Sequence, residues 1–116
     1  MFSRDAIESA RRIVYAAMPP TPQQRWPQLD RHLGAQLWVK HENHTPTGAF
    51  KVRGGLTYFE GLRRREPKGT AVISATRGNH GQSVGFAALR HDMAATIVAP
   101  LGNSVEKNAA MRALGV

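Results

Sequence analysis

Cysteine is absent from the 116 residues. That single absence excludes a disulfide framework, a thiolate metal site, an iron–sulfur cluster and a cysteine nucleophile. The sequence also has no run of ~18 apolar residues, the length a membrane-spanning helix needs. No uninterrupted apolar stretch follows the basic residues at the amino end, where Asp5 and Glu8 break the pattern of a secretory signal. The expected setting is therefore cytoplasmic, with no membrane partner. Aromatic residues are scarce at 7%, and acidic residues number 8 against 16 Lys+Arg, for a net charge of +8.

So basic a chain raises the question of nucleic acid, and the distribution of charge argues against it. Residues 1–58 and residues 59–116 each carry eight basic and four acidic side chains. The one tight run, Arg63, Arg64 and Arg65, lies between Glu60 and Glu66 and has no interleaved aromatics. Nucleic-acid binders concentrate charge beside aromatic or hydrogen-bonding readers. The run reads as a solvated helix face, and no nucleic-acid partner is expected. The excess charge still attracts small anions. With 41% hydrophobic residues, the chain has enough apolar material for the core of one domain.

The patterning is mixed α and β. Residues 3–18 predict a helix, capped by Ser3, with Asp5 and Glu8 near its positive end and Arg11 and Arg12 toward its negative end. Ile7, Ala10, Val14 and Ala17 form its apolar stripe. Pro19, Pro20 and Pro22 stop it, and a polar passage runs on to Pro27. A short helical turn at residues 29–33 ends at Gly34, and residues 36–40 read as a strand. Residues 43–48 read as a loop, residues 50–65 as a helix and residues 67–69 as a turn. Residues 71–75 form an apolar strand, residues 82–90 a helix and residues 94–99 a second strand. A last helix, with Asn103 as its cap and Glu106 three residues on, runs to about Leu114. Strand–helix–strand–helix at this spacing predicts an α/β fold of βαβ units with a parallel sheet. Gly115 stands at a helix C-cap position and Val116 would open another strand, so the sheet is expected to be cut off partway, leaving an apolar edge without its partner.

Two segments carry chemistry. In Pro46-Thr47-Gly48-Ala49-Phe50-Lys51-Val52-Arg53-Gly54-Gly55 a lysine opens a helix beside an aromatic residue. The electropositive end of a helix disfavours an ammonium and favours the neutral amine that attacks a carbonyl. By itself Lys51 reads first as an ordinary surface lysine, and the motif alone does not displace that reading. In Ser74-Ala75-Thr76-Arg77-Gly78-Asn79-His80-Gly81-Gln82-Ser83 a strand gives way to a helix, the place where open α/β sheets bind ligands and free amides hold anions. The glycines match neither the dinucleotide fingerprint nor a P-loop, and an ordinary turn remains the alternative. His41 and His44 at i, i+3 do not form H-E-x-x-H, so no metal site is expected. His32 and His91 read as surface residues.

Lys40-His41-Glu42-Asn43, then Pro46-Thr47-Gly48-Ala49-Phe50-Lys51, then residues 74–83, in that order, resemble the serine/threonine dehydratase family. These are pyridoxal-phosphate enzymes of fold type II, the tryptophan-synthase-β-like group. Thr21-Pro22 upstream and residues 102–114 downstream extend the resemblance over nearly the whole chain. It reaches only the N-terminal part of a family member. Within the family, the wording is closest to threonine dehydratases, including the branch associated with hydroxyectoine utilisation.

The resemblance implies pyridoxal 5'-phosphate as cofactor and a small hydroxy amino acid as substrate. Lys51 matches the lysine that joins the cofactor and later moves the Cα proton. Phe50 matches the aromatic beside the cofactor ring, and Asn79 the residue that hydrogen-bonds the ring hydroxyl. Thr76, Arg77, Gly78 and His80 match the loop that receives the substrate carboxylate. Residues 1–52 would belong to the large cofactor domain, and residues 53–116 would begin the smaller α/β domain. A full-length member is expected to be a homo-oligomer. Ala49 stands where many members have serine, and Arg77 where a small residue is usual, which puts substrate choice in doubt. The phosphate loop and the residue facing the pyridine nitrogen would fall beyond Val116. Two alternatives stay open: an amino-acid racemase on the same scaffold, and an inactive fragment or half of a split protein.

Overall fold

A computed structural model describes residues 2–67 and 69–116. Its elements are α1 (Arg4–Tyr15), β1 (Gln23–Arg25), α2 (Pro27–Leu33), β2 (Trp38–Lys40), a 3-10 turn (Glu42–His44), α3 (Lys51–Arg65), β3 (Val72–Ala75), α4 (Asn79–Arg90), β4 (Ala95–Val98) and α5 (Val105–Arg112). β3 and β4 pair in parallel, with Val72 opposite Ala95 and Ala75 opposite Val98, and α4 connects them. This is the βαβ unit the sequence predicts, in an α/β fold. The expected turn at residues 67–69 includes Lys68, which lies outside the described residues.

α3 is the element about which the rest is arranged. Val52 and Leu56 pack with Val14 and Met18 of the first segment. Phe59, farther along the same face, enters a second cluster with Val84, Ala87, Ala88 and Met93, which Val72, Ala95 and Ile97 of the parallel strands complete. Apolar side chains at i, i+4 and i+7 thus serve both clusters. The boundary expected between residues 52 and 53 falls inside the first turn of this helix.

α1 begins as expected: Ser3 Oγ accepts from the Ala6 amide at 3.1 Å. Its apolar stripe is only partly used, because Ile7 is exposed while Val14 is buried. Beyond its far end, Arg90 at the end of α4 donates to the Ala16 carbonyl at 2.9 Å.

Four local expectations are corrected. The polar passage before Pro27 contains a strand: β1 pairs antiparallel with β2, Gln24 opposite Val39. Its three residues are all exposed, so no alternation of apolar and polar residues announced it. α4 begins at Asn79, three residues before the expected start, which puts Asn79 and His80 in its first turn. Ser104, not Asn103, caps α5, accepting from the Lys107 amide at 3.3 Å. The Asn103 side chain instead donates to Asn108 Oδ1 at 2.6 Å. His91 is not a surface residue; its ring stacks on Phe59 at 6.4 Å and is 12% exposed.

Phe59→Ala removes a ring that is 1% exposed at the joint between α3, α4 and the sheet. The expected loss is about 3–5 kcal/mol, measured as a fall in the urea midpoint with little change in slope. Leu62→Ala, at the partly buried rim of the same cluster, is expected to cost less.

Candidate functional site

The approach to Lys51 is fixed by a short locked turn. Thr45 is buried, and its hydroxyl accepts from the Ala49 amide and donates to the Ala49 carbonyl, both at 2.9 Å. The Gly48 amide donates to the Thr45 carbonyl at 2.9 Å, and Gly48 takes φ +66°, which a side chain rarely adopts. Ala49 itself is buried. The chain leaves this turn through Phe50 directly into α3, so Lys51 is the first helical residue.

Two residues farther on, Arg53 makes a two-pronged contact with Glu42. Its Nε donates to Oε2 at 2.7 Å and its Nη2 to Oε1 at 2.8 Å. Thr21 Oγ1 also donates to Glu42 Oε1, at 2.6 Å, and Lys40 Nζ donates to the Thr21 carbonyl at 3.0 Å. The chain at Thr21 and the stretch from Lys40 to Glu42 are thereby tied to the first turn of α3. The Arg53 hydrogen bonds hold the Glu42 carboxyl at about 2, against the opposing pull of partial burial, with Thr21 assisting. Arg53 is raised in turn, chiefly through the same hydrogen bonds to Glu42.

From the other side α4 meets α3 closely. Ser83 is fully buried and its Oγ donates to the Lys51 carbonyl at 2.7 Å. A Cβ at Gly55 would stand 2.3 Å from that Oγ and 2.8 Å from the Ser83 carbonyl oxygen, so only glycine permits the approach. In the loop before α4, Thr76 Oγ1 accepts from the Gly78 amide at 3.3 Å, and no side chain caps the helix. His80 Nε2 and Ser74 Oγ lie 3.1 Å apart. The methylenes of Lys107, from α5, lie against Gly78.

Of the predicted site residues, Lys51 and His80 line one open cavity of about 420 Å³ together with Ser74, Gly54, Tyr58 and Ile73. Phe50, Asn79, Thr76, Arg77 and Gly78 do not line it. Phe50 is largely exposed, with the Lys51 ammonium 5.4 Å from its ring centroid. Arg77 and Asn79 are exposed at the head of α4. Thr45, Ser83 and Lys107 escaped the sequence reading. Thr45 stands just before the Pro46–Gly55 segment and could have been noticed as a turn-forming hydroxyl; Ser83 closes the Ser74–Ser83 segment, but it and Lys107 act across long sequence separations.

A carbonyl cofactor requires an amine with no carboxylate bound to it and space for a ring beside it. Among the described residues Lys51 enters no ion pair, and the cavity beside it has room for such a ring. The residues present fit the group.

Comparison with known proteins decides the lineage. A profile described as "Pyridoxal-phosphate dependent enzyme" matches residues 14–116. The chain belongs to the pyridoxal-phosphate-dependent enzyme family. It is 37% identical over 102 residues to the biosynthetic L-threonine dehydratase of Escherichia coli (strain K12), covering 88% of this chain and 20% of that protein. Against the L-threo-3-hydroxyaspartate ammonia-lyase of Pseudomonas sp. it is 36% identical over 115 residues, covering 96% of the chain and 34% of the relative. The crystal structure of a pyridoxal 5'-phosphate-dependent aspartate racemase superposes with a TM-score of 0.89 at 32% identity, over 95% of this chain and 35% of that one. The fold is that of the fold type II members, and the chain spans about a fifth to a third of the length of these relatives.

The depressed Glu42 carboxyl has a consequence for stability. Its folded value, about 2, lies below the ordinary 4.5. The ion pair therefore contributes stability that is fully present above the ordinary value and lost as pH falls through the folded one. At this partly exposed pair the contribution is on the order of 1–2 kcal/mol after solvent screening. Glu42→Gln is expected to lower stability at neutral pH and to flatten its fall between those two pH values. Chemical denaturation at a series of pH values measures both.

Proposed function

We propose that the protein to which this chain belongs is a pyridoxal-phosphate-dependent ammonia-lyase that converts threonine or serine to a 2-oxo acid and ammonia. The observation that supports this most is the position of Lys51. It opens α3 at the edge of a cavity whose other wall includes His80 and Ser74, beside the uncapped start of α4. The relatives named for dehydratase and ammonia-lyase activity support the reaction class.

Pyridoxal phosphate, when bound, supplies an electron sink for the pair released from the substrate's Cα–H bond. In this reading Lys51 Nζ is the amine that carries the cofactor and the base that takes the Cα proton. Phe50 flanks the ring, and the Asn79 amide holds the ring hydroxyl. Thr76, Gly78 and His80 receive the substrate carboxylate at the electropositive head of α4. Arg77 adds a cation to the same loop. Residues 1–52 belong in this reading to the large cofactor domain, and residues 53–116 open the smaller one; the working enzyme is a homo-oligomer.

A second reading is an amino-acid racemase, which the likeness to the aspartate racemase supports. It shares every role given to Lys51 and Asn79 and differs in retaining the β-substituent. Product analysis separates the two: 2-oxobutanoate from threonine supports the lyase, whereas inversion at Cα without loss of ammonia supports the racemase.

Borohydride reduction of the full-length holoenzyme, followed by peptide mapping, is expected to label Lys51. Lys51→Ala should abolish both label and turnover while leaving the melting temperature within a few degrees. A label on Lys40 or Lys68 would refute the assignment. Asn79→Ala is expected to shift the absorption band of the bound cofactor with little loss of thermal stability.

A further inference from the structure

We infer that Ser83 is a positioning residue for Lys51, fixing the root of the lysine side chain to the helix that carries Asn79. The inference rests on the reading that Lys51 carries the cofactor. Ser83 is 0% exposed, and its hydroxyl donates to the Lys51 carbonyl at 2.7 Å. It lies one helical turn beyond Asn79, on the same face of α4.

A carbonyl oxygen has two acceptor sites, so the Lys51 carbonyl can take this bond in addition to its bond within α3. The hydroxyl therefore costs the helix nothing and adds a tie between two elements. The tie acts at the residue that bears the amine. Its direction is set by the close approach of the backbones, which Gly55 allows: any side chain there would collide with Ser83. The Thr45 turn fixes the chain before Lys51 and the Glu42–Arg53 pair fixes it after, both from the N-terminal segment. Ser83 alone of these refers Lys51 to the opposite side of the cavity, the head of α4. A displacement of this root changes where the amine stands relative to Asn79 and His80. Misplacement of a reacting group by ~1 Å costs on the order of a hundredfold in rate.

The test uses full-length holoenzyme and four readouts: melting temperature, the absorption band of the lysine-linked cofactor titrated with pH, kcat against KM, and amide exchange in the first turn of α3 measured without cofactor. Ser83→Ala keeps the Cβ and deletes the donor. It is expected to move the pH midpoint of the band, speed exchange at the start of α3 and lower kcat ~10- to 100-fold. KM and the melting temperature should change little. Ser83→Cys, a weaker donor of similar reach, should fall between Ala and the unsubstituted protein. Thr57→Val is the control: it removes a hydroxyl that bonds only within α3, to the carbonyls of Arg53 and Gly54, and should leave the band unmoved.

An unmoved band in Ser83→Ala with Lys51 still labelled by borohydride overturns the inference and leaves the proposed role of Lys51 intact. Absence of label on Lys51 in the unsubstituted protein overturns that role first. Should Ser83→Ala fail to fold, Ser83→Cys is read in its place. Failure of both assigns Ser83 to the core alone and overturns the inference.

Discussion

The close contact of α3 with α4 governs the architecture. α3 buries Val52 and Leu56 toward α1 and Phe59 toward α4, so one helix supports both apolar clusters. Two helices with ordinary side chains at the contact pack at roughly 8–10 Å. Here a glycine faces a serine, and the approach is close enough that a methyl group at Gly55 could not be accommodated. Replacing bulk by proximity allows a hydroxyl to reach a main-chain carbonyl across the interface. The parallel strands depend on the same contact, since Val72, Ala95 and Ile97 pack on the cluster that α3 and α4 form.

Around that contact the site is built mainly from backbone constraints. A threonine hydroxyl closes the turn before Lys51, a guanidinium grips a carboxylate just after it, and a serine holds its carbonyl. The flexible amine thus departs from a rigid base, an arrangement that favours accurate placement of a functional group. The loop before α4 has a different character. The Thr76 hydroxyl accepts from the Gly78 amide and the Thr76 amide donates to the Val98 carbonyl, Arg77 and Asn79 face solvent, and α5 reaches the loop through the methylenes of Lys107. One wall is braced by side-chain hydrogen bonds to its backbone, while the other leaves Arg77, Asn79 and His80 exposed.

Legibility of these features in the sequence followed the range of the interactions involved. β3, β4 and the helix between them were readable because their apolar residues are contiguous or periodic. Lys51 and the Ser74–Ser83 segment were readable as dense local motifs that resemble a family. β1 was not, because Gln23, Gln24 and Arg25 are exposed and owe their conformation to pairing with Trp38, Val39 and Lys40. Asn103 and Ser104 are both good caps by composition, and only the backbone geometry selected Ser104. His91 is polar by type yet lies against Phe59, a contact across 32 residues that periodicity does not encode. Ser83 was equally hidden: a serine within a small-residue helix has no signature until Gly55 is placed opposite it.

The hydrogen bond from Arg90 to the Ala16 carbonyl bears on what holds the first helix in place. A helix of twelve residues is marginal alone in water, and α1 exposes most of its length to solvent. Its buried residue, Val14, packs against a helix that begins at residue 51, and the chain beyond its last turn is held by a side chain at residue 90. α1 thus draws its lasting structure from partners that lie far along the chain, above all Val52 and Leu56 of α3. The stability of α1 is therefore coupled to α3 through buried apolar contacts and to α4 through Arg90, so loosening either helix loosens the first segment as well.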